Sequence, residues 1–223
     1  PVNALAAAAE DLRDRDGQLS GKIRLSAPIS FSQRTLCEPL IAFMQQWPDV
    51  EIDVQLTDRH VDLIADAIDL AVRLGNLPDS SLRARTIGSI RRPIVASPDY
   101  VAAKGTPSTP DDLADHDAIV LTQVPDPERW VLHGDEGEIQ TVGIRRRFAV
   151  DNGDLAREVA LAGLGIVVLP EFFVHEDLRE GRLIELLLPW HMQPLGLHLV
   201  TPPSRLRARR VDALIRHLTV ALS

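Results

Sequence analysis

The sequence is poorest in the residues that make cross-links or chemistry easy to recognise. It holds one cysteine, Cys37, in 223 residues. No disulfide can close within the chain, and no pair of thiols can form an internal redox switch. Neither H-E-x-x-H nor C-x-x-C occurs, and the seven histidines are scattered. His191 and His198 lack metal-ligand spacing, so neither a metal nor another cofactor is expected. A G-x-S-x-G elbow, a Walker loop and G-x-G-x-x-G are all missing, and "AGLGI" carries only two glycines that a turn before a strand explains. No catalytic constellation is therefore expected.

Long apolar runs are also missing. "LGIVVLP" and "LIELLLPW" fall far short of the roughly 20 residues of a membrane span. The opening "PVNALAAAAEDLRDRD" shows no charged-then-apolar leader, which leads to an expectation of a cytoplasmic protein. Positive charge is scarce, with 24 Lys and Arg against 32 Asp and Glu and a net charge of −8. Because nucleic-acid affinity comes largely from neutralising phosphates, this chain alone is not expected to grip DNA. The single basic run, "RLRARR", opens an amphipathic helix and reads as a solvated face. The carboxylates of "PDDLADHD" and "HEDLREG" lie where helix caps and solvated faces put them. Cys37 reads as a small buried hydrophobe.

What is present is an alternation of strand and helix patterns. "KIRLSAP" alternates like a strand, and Leu36, Leu40, Met44 and Trp47 follow at helical spacing. Pro39 is expected in the first turn of that helix, where its missing N–H costs little. "VEIDVQL" alternates with Val50, Ile52, Val54 and Leu56 on one face. "RHVDLIADA" reads as a short helix, and "IDLAVRLG" as a buried strand ended by Gly75. This β-α-β-α-β order predicts an α/β fold with a mostly parallel sheet. A strand pair follows, "LRARTIG" and "RRPIVAS". In "SPDYVAAKG", Ser97 is a natural N-cap, Pro98 the first helical residue and Gly105 the stop. "STPDDLADH" repeats this logic, and residues 117–150 are rich in strands and loops. "VDLIADAIDLAVRLG" and "LAREVALAGLGIVVLP" each run a helix into a buried strand, which suggests two similar lobes. "LGLHLVT" and a last helix carrying Leu206, Leu214, Leu218 and Leu222 close the chain.

A polar turn recurs after the strands: "SAPISFS", "LTDRH", "ASPDY" and "VDNGD". In parallel α/β sheets ligands sit outside the carboxyl ends of strands. Such turns offer hydroxyls, amides and the free N–H groups of helix starts, which suit small anions such as carboxylates. Each turn alone is adequately explained as a helix cap, whereas four together point to a binding cleft.

The residues that carry a family resemblance are "GKIRLSAPISFSQRTLCEPLIAFMQQWPDVEIDVQLTDRHVDLIADAIDLAVRLGNLPDSSLRAR", then "RRPIVASPDYVAAKGTPSTPDDLADH" and "LAREVALAGLGIVVLPEFFVHEDLREGRLIELL". Over about residues 20–222 the chain resembles the effector-binding domain of LysR-type transcriptional regulators. The resemblance implies a periplasmic-binding-protein-like (type 2) fold of two Rossmann-like lobes with an inter-lobe cleft. The implied division is a linker-helix remnant at 1–19, lobe I at 20–98, lobe II at 99–196 and a return to lobe I at 197–223. A small-molecule effector, a carboxylate or a polar aromatic compound, is implied between the lobes. DNA would be bound only through a winged helix-turn-helix outside this chain.

Position by position, the resemblance implies effector contacts from Ser30, Phe31 and Ser32 in the first turn and from Thr57 and Asp58 in the second. It adds Arg73 of "DLAVRLG", Ser97 at the crossover, Asn152 and Gly153 before the second lobe's helix, and Thr201 at the return crossing. Ser32 stands where many relatives carry Gly, and "VDNGD" is a variable turn. The resemblance also implies a homodimer or higher homo-oligomer, with the helix around 36–47 of one subunit near the helix around 154–163 of the other. The rival readings are a free-standing solute-binding protein of a transport system, which shares the fold, and an enzyme using the cleft.

Overall fold

The computed structural model describes residues 18–59, 61–77, 82–203 and 207–222. Most of the expected linker-helix remnant, residues 1–17, and Leu206 of the expected last-helix stripe lie outside these. The chain divides into two compact units, Pro1–Ser89 with Gly196–Ser223, and Ile90–Leu195.

In the first unit, β1 (Gly21–Ala27) pairs in parallel with β2 (Val50–Leu56) and with β3 (Leu70–Leu74). The return strand β13 (Leu195–Thr201) runs antiparallel to β3, and β4 (Arg83–Ile90) closes the order β2-β1-β3-β13-β4. Ile23, Leu25, Leu70 and Val72 are buried at the centre of this sheet. Only the Val50 end of β2 is covered, whereas Val54 and Leu56 are exposed on the sheet's edge.

The helix after β1 starts earlier than its Leu36–Trp47 spacing implies. Pro28 stands at the N-cap in extended backbone (φ −65°, ψ 144°) and helix begins at Ile29. The run α1 consists of an α-turn (Ile29–Phe31), a π-helical segment (Ser32–Leu36) and an α-helix (Cys37–Gln46). Pro39 therefore sits inside a continuous helix and not in its first turn. The π segment ends three residues before it and includes Thr35, whose carbonyl would otherwise crowd the ring and lack an N–H partner. Cys37 N–H bonds back to Ser32 O, and the altered register buries Leu36 and Phe43 while leaving Met44 exposed. Cys37 is exposed, not a buried hydrophobe.

The expected helix over "RHVDLIADA" is a turn. The Asp62 carboxylate accepts from the N–H groups of Ile64 (3.0 Å) and Ala65 (3.1 Å). Ala67, at φ 52°, and the Ile68 N–H to Leu63 O bond (2.8 Å) then stop it and turn the chain into β3. The C-terminal helix α5 (Arg209–Ala221) buries Val211, Leu214, Ile215 and Leu218 against this unit. Within the described part of the basic run, Arg207 donates to Asp212 (2.9 Å) and Arg210 to Lys22 O (2.9 Å).

The second unit takes β5 (Ile94–Ala96), which does not pair with β4. β5 joins β10 (Ile166–Val168) and β11 (Ile184–Glu185) in the order β11-β5-β10-β6-β9, with β6 at Asp117–Leu121 and β9 at Arg145–Val150. That pairing moves the first crossing upstream of residues 98/99, to Ser89/Ile90. β12 (His191–Met192), β7 (Arg129–His133) and β8 (Ile139–Gly143) form a separate antiparallel sheet. The helices are α2 (Pro98–Lys104), α3 (Gly153–Leu161) and α4 (Glu171–Arg179). Ser97, Pro98 and Gly105 hold their expected places around α2, and Thr109 with Asp112 makes a capping box.

Two contacts fix α3 against α4. A side-chain carbon at Gly153 would run into the Phe173 ring. Asp177, which belongs to "HEDLREG" and was expected on a solvated face, is fully buried. Its carboxylate receives the Arg157 guanidinium in a bidentate pair (Nη2 to Oδ1 2.7 Å) and the Arg182 Nε (2.7 Å). Burial pushes its pKa up, but the hydrogen bonds and charges of both arginines outweigh burial and hold it below the ordinary carboxylate value.

Asp177→Asn removes the charge and leaves its arginines facing a neutral amide, so urea unfolding should show a loss of about 3–5 kcal/mol. Because the native pKa lies below the unfolded value, the wild-type carboxylate's contribution is complete above about pH 4. It is lost as the pH falls through the native pKa, and the variant lacks that acid limb. Gly153→Ala overpacks the α3–α4 contact and should cost about 1–3 kcal/mol in the same titration.

Candidate functional site

The carboxyl ends of β1 and β2 lie side by side, and the polar residues leaving them are tied together. Thr57 N–H continues the ladder onto Ala27 O (2.9 Å). Its hydroxyl accepts from Arg59 N–H at 3.2 Å, shaping the second turn. The next residue, Asp58, places its carboxylate oxygen 3.1 Å from Ile29 N. It thereby supplies the acceptor that Pro28, with no side-chain cap, does not provide to α1.

Arg73 on β3 reaches the same place from the other side of β1. One guanidinium nitrogen donates to its own neighbour's carbonyl, Val72 O (2.9 Å), and the other to Ser26 Oγ (2.9 Å). Burial lowers the Arg73 pKa, and the Asp58 charge acts against that lowering. The structure therefore brings Thr57, Asp58 and Arg73 to the end of β1, next to the helix start that carries Ser30, Phe31 and Ser32. All three first-turn residues are buried, Ser32 with 7% of its surface exposed. Among the described residues, Ser32 Oγ is a buried side-chain atom with no hydrogen-bond partner.

The remaining expected residues do other things. Thr201 ends β13 at the end away from the crossing at Leu195/Gly196, with Val200 opposite Ala71. Its hydroxyl accepts from Arg207 (2.8 Å), so the structure does not join it to the first-turn group. In the second unit, Ser97 Oγ caps α2 through Tyr100 N–H (3.2 Å). Asn152 Oδ1 caps α3 through Leu155 N–H (2.9 Å). Gly153 makes room for Phe173. Ser26, which holds Arg73, was not singled out in the sequence. It lies on the strand face opposite Ile23 and Leu25, and its signal was a small polar residue in a central strand buried on both faces. No group of three metal-ligating side chains occurs among the described residues.

The LysR substrate binding domain family matches residues 16–223. The transcriptional regulator PtxR of Pseudomonas aeruginosa is 34% identical over 97% of this chain, which spans 69% of that protein. The regulator CrgA of Neisseria meningitidis serogroup B is 35% identical over 68% of this chain, which spans 50% of it. The chain thus spans from half to about two thirds of the length of these curated relatives. Among solved structures, full-length AphB, a virulence activator of Vibrio cholerae, superposes with a TM-score of 0.80 at 28% identity, covering 98% of this chain and 74% of AphB. The CrgA regulatory domain of Neisseria meningitidis gives 0.73 at 28% identity, covering 89% of this chain and 99% of that one. The chain belongs to the LysR substrate-binding-domain family and has the periplasmic-binding-protein-like type 2 fold of the effector-binding domain of LysR-type transcriptional regulators.

Proposed function

We propose that this chain senses a small polar molecule on behalf of a longer, cytoplasmic DNA-binding regulator and catalyses nothing itself. The observation that carries the reading is the buried hydroxyl of Ser32, unpartnered among the described residues, in the helix whose first N–H is held by Asp58. A buried polar group left unpaired is costly to the empty protein, and a ligand that pairs it recovers that cost. Ser30, Phe31, Ser32, Thr57, Asp58 and Arg73 form the site within the first unit. In the second unit the Ser97 and Asn152 side chains are spent on capping. The curated relatives are transcriptional regulators, which favours this reading over a transport protein. A ligand that binds one arrangement of the chain better than another shifts that equilibrium, and DNA binding outside this chain follows it.

The partner of the same protein is a second copy. Ile41 (51% exposed) and Met44 (43%) leave an apolar face on α1, and Leu155 (48%) does so on α3, the helices expected to meet across a homodimer.

Ser32→Ala should raise the stability of the ligand-free protein by about 1 kcal/mol, read as a higher melting temperature. In a thermal-shift screen against a panel of metabolites, hits on the wild type should lose their shift in Ser32→Ala and weaken in Thr57→Ala. Hits that bind the variants unchanged overturn the site. Ile41→Glu should move the protein from dimer to monomer in sedimentation velocity while its melting curve stays cooperative; an unaltered dimer rejects this interface.

A further inference from the structure

The start of α1 looks, in sequence, like an anion site. A long helix begins there directly after a strand, and its first N–H groups would hold a carboxylate. The structure shows that this place is already taken. Ile29 N–H donates to Asp58 Oδ1 at 3.1 Å, so a full negative charge from the protein itself stands at the positive end of the helix. The nearby cation, Arg73, is held by Val72 O and Ser26 Oγ at 2.9 Å each, and its charge already faces that of Asp58. What is left uncommitted is neutral: the Ser32 hydroxyl, buried and unpartnered in the same first turn. Asp58 is exposed, and among the described residues only its Oδ1 accepts a hydrogen bond.

From this juxtaposition we infer that Asp58 sets the charge class of the effector: the start of α1 takes an uncharged or amine-bearing polar group and turns away a free carboxylate. A ligand carboxylate at the helix start would share the Ile29 N–H with Asp58 and face a like charge at contact distance. An amide, hydroxyl or amine instead pairs with Ser32 Oγ and donates to the second Asp58 oxygen. The Asp58 charge also opposes the burial-driven lowering of the Arg73 pKa, in keeping with the two charges already balancing each other. This inference rests on the effector site proposed above and narrows it.

The test uses matched probes on the whole chain: benzoate with benzamide, and succinate with succinamide, by calorimetry and thermal shift. Asp58→Asn keeps an oxygen for Ile29 N–H and removes the charge. Asp58→Ser is a second neutral residue able to cap a helix. The expected result is a rise of at least tenfold in carboxylate affinity in both variants, little change for the amides, and loss of the gain when Ser32→Ala is added. Three outcomes overturn the inference: carboxylate binding by the wild type as tight as in the variants, through exposed Arg59 or any other group; no gain in either variant; or a gain that survives Ser32→Ala. Metabolite hits that depend on Ser32, combined with unaltered carboxylate affinity in the Asp58 variants, reject this inference alone. Hits indifferent to Ser32 reject the effector site itself.

Discussion

The N–H of Ile29, the first residue of α1, donates to the carboxylate of Asp58, and the placement of the first unit's polar residues follows from that bond. Pro28 ends the strand and fixes an extended backbone, but contributes no side-chain acceptor. The helix can start at once only because the exit of the neighbouring strand brings an acceptor to it. Thr57 N–H on Ala27 O sets the register of that exit, so β1, β2 and α1 are fastened at one place. An early start then forces Pro39 into the helix body. The π-helical segment Ser32–Leu36 precedes that proline, turning Leu36 inward and Cys37 outward. The buried first turn and the exposed Ile41–Met44 face belong to one continuous helix.

Charge is used differently in the second unit. Asp177 is closed off by Arg157 and Arg182. Asp117 is ringed by Arg145 (2.8 Å) and Arg147 (3.3 Å). Its own N–H goes to the buried Tyr100 hydroxyl at 2.9 Å, which also meets His116 Nδ1 at 3.1 Å. These groups orient helices and strand ends, and they are satisfied by the protein. The first unit instead carries a polar atom that the protein does not satisfy. That contrast separates groups that hold the fold from groups available to a ligand more sharply than residue type does.

Strands were legible in the sequence because alternation and burial coincide: Ile23 and Leu25 in β1, and Leu70 and Val72 in β3, face a core that any partner strand would create. The caps of α2 and α3 were legible because Ser97 and Asn152 act on residues three positions away. The start of α1 was not, since its acceptor comes from Asp58, 29 positions along the chain. The Leu36–Leu40–Met44–Trp47 stripe misled because it assumes a constant helical pitch, and the π segment breaks that pitch. "VDLIADA" has helical spacing, but the Asp62 side chain competes for the N–H groups a helix would use. Asp177 looked solvated because a sequence shows a carboxylate without showing the arginine 20 positions away that buries it. Thr57, Asp58 and Arg73 were singled out through the family resemblance. What they do to one another was set by pairing across three strands.

The energetics limit how much the first turn can achieve alone. An unsatisfied buried hydroxyl costs about 1–3 kcal/mol, and a ligand that pairs it gains at most that much preference for the state it binds. A preference of about 1.4 kcal/mol moves an equilibrium tenfold, whereas driving it from one state almost wholly to the other takes about 5.5 kcal/mol. In the proposed site, then, Ser32 would bias the chain but not switch it. The remaining preference has to come from charge-assisted contacts, which are roughly twice as strong as neutral ones. Beside the start of α1, Asp58 is an exposed carboxylate that can make one, and among the described residues its second oxygen faces no donor. In the proposed site, a ligand group that donates to Asp58 while pairing Ser32 would use both resources. One that repels Asp58 must spend on that repulsion what Ser32 returns.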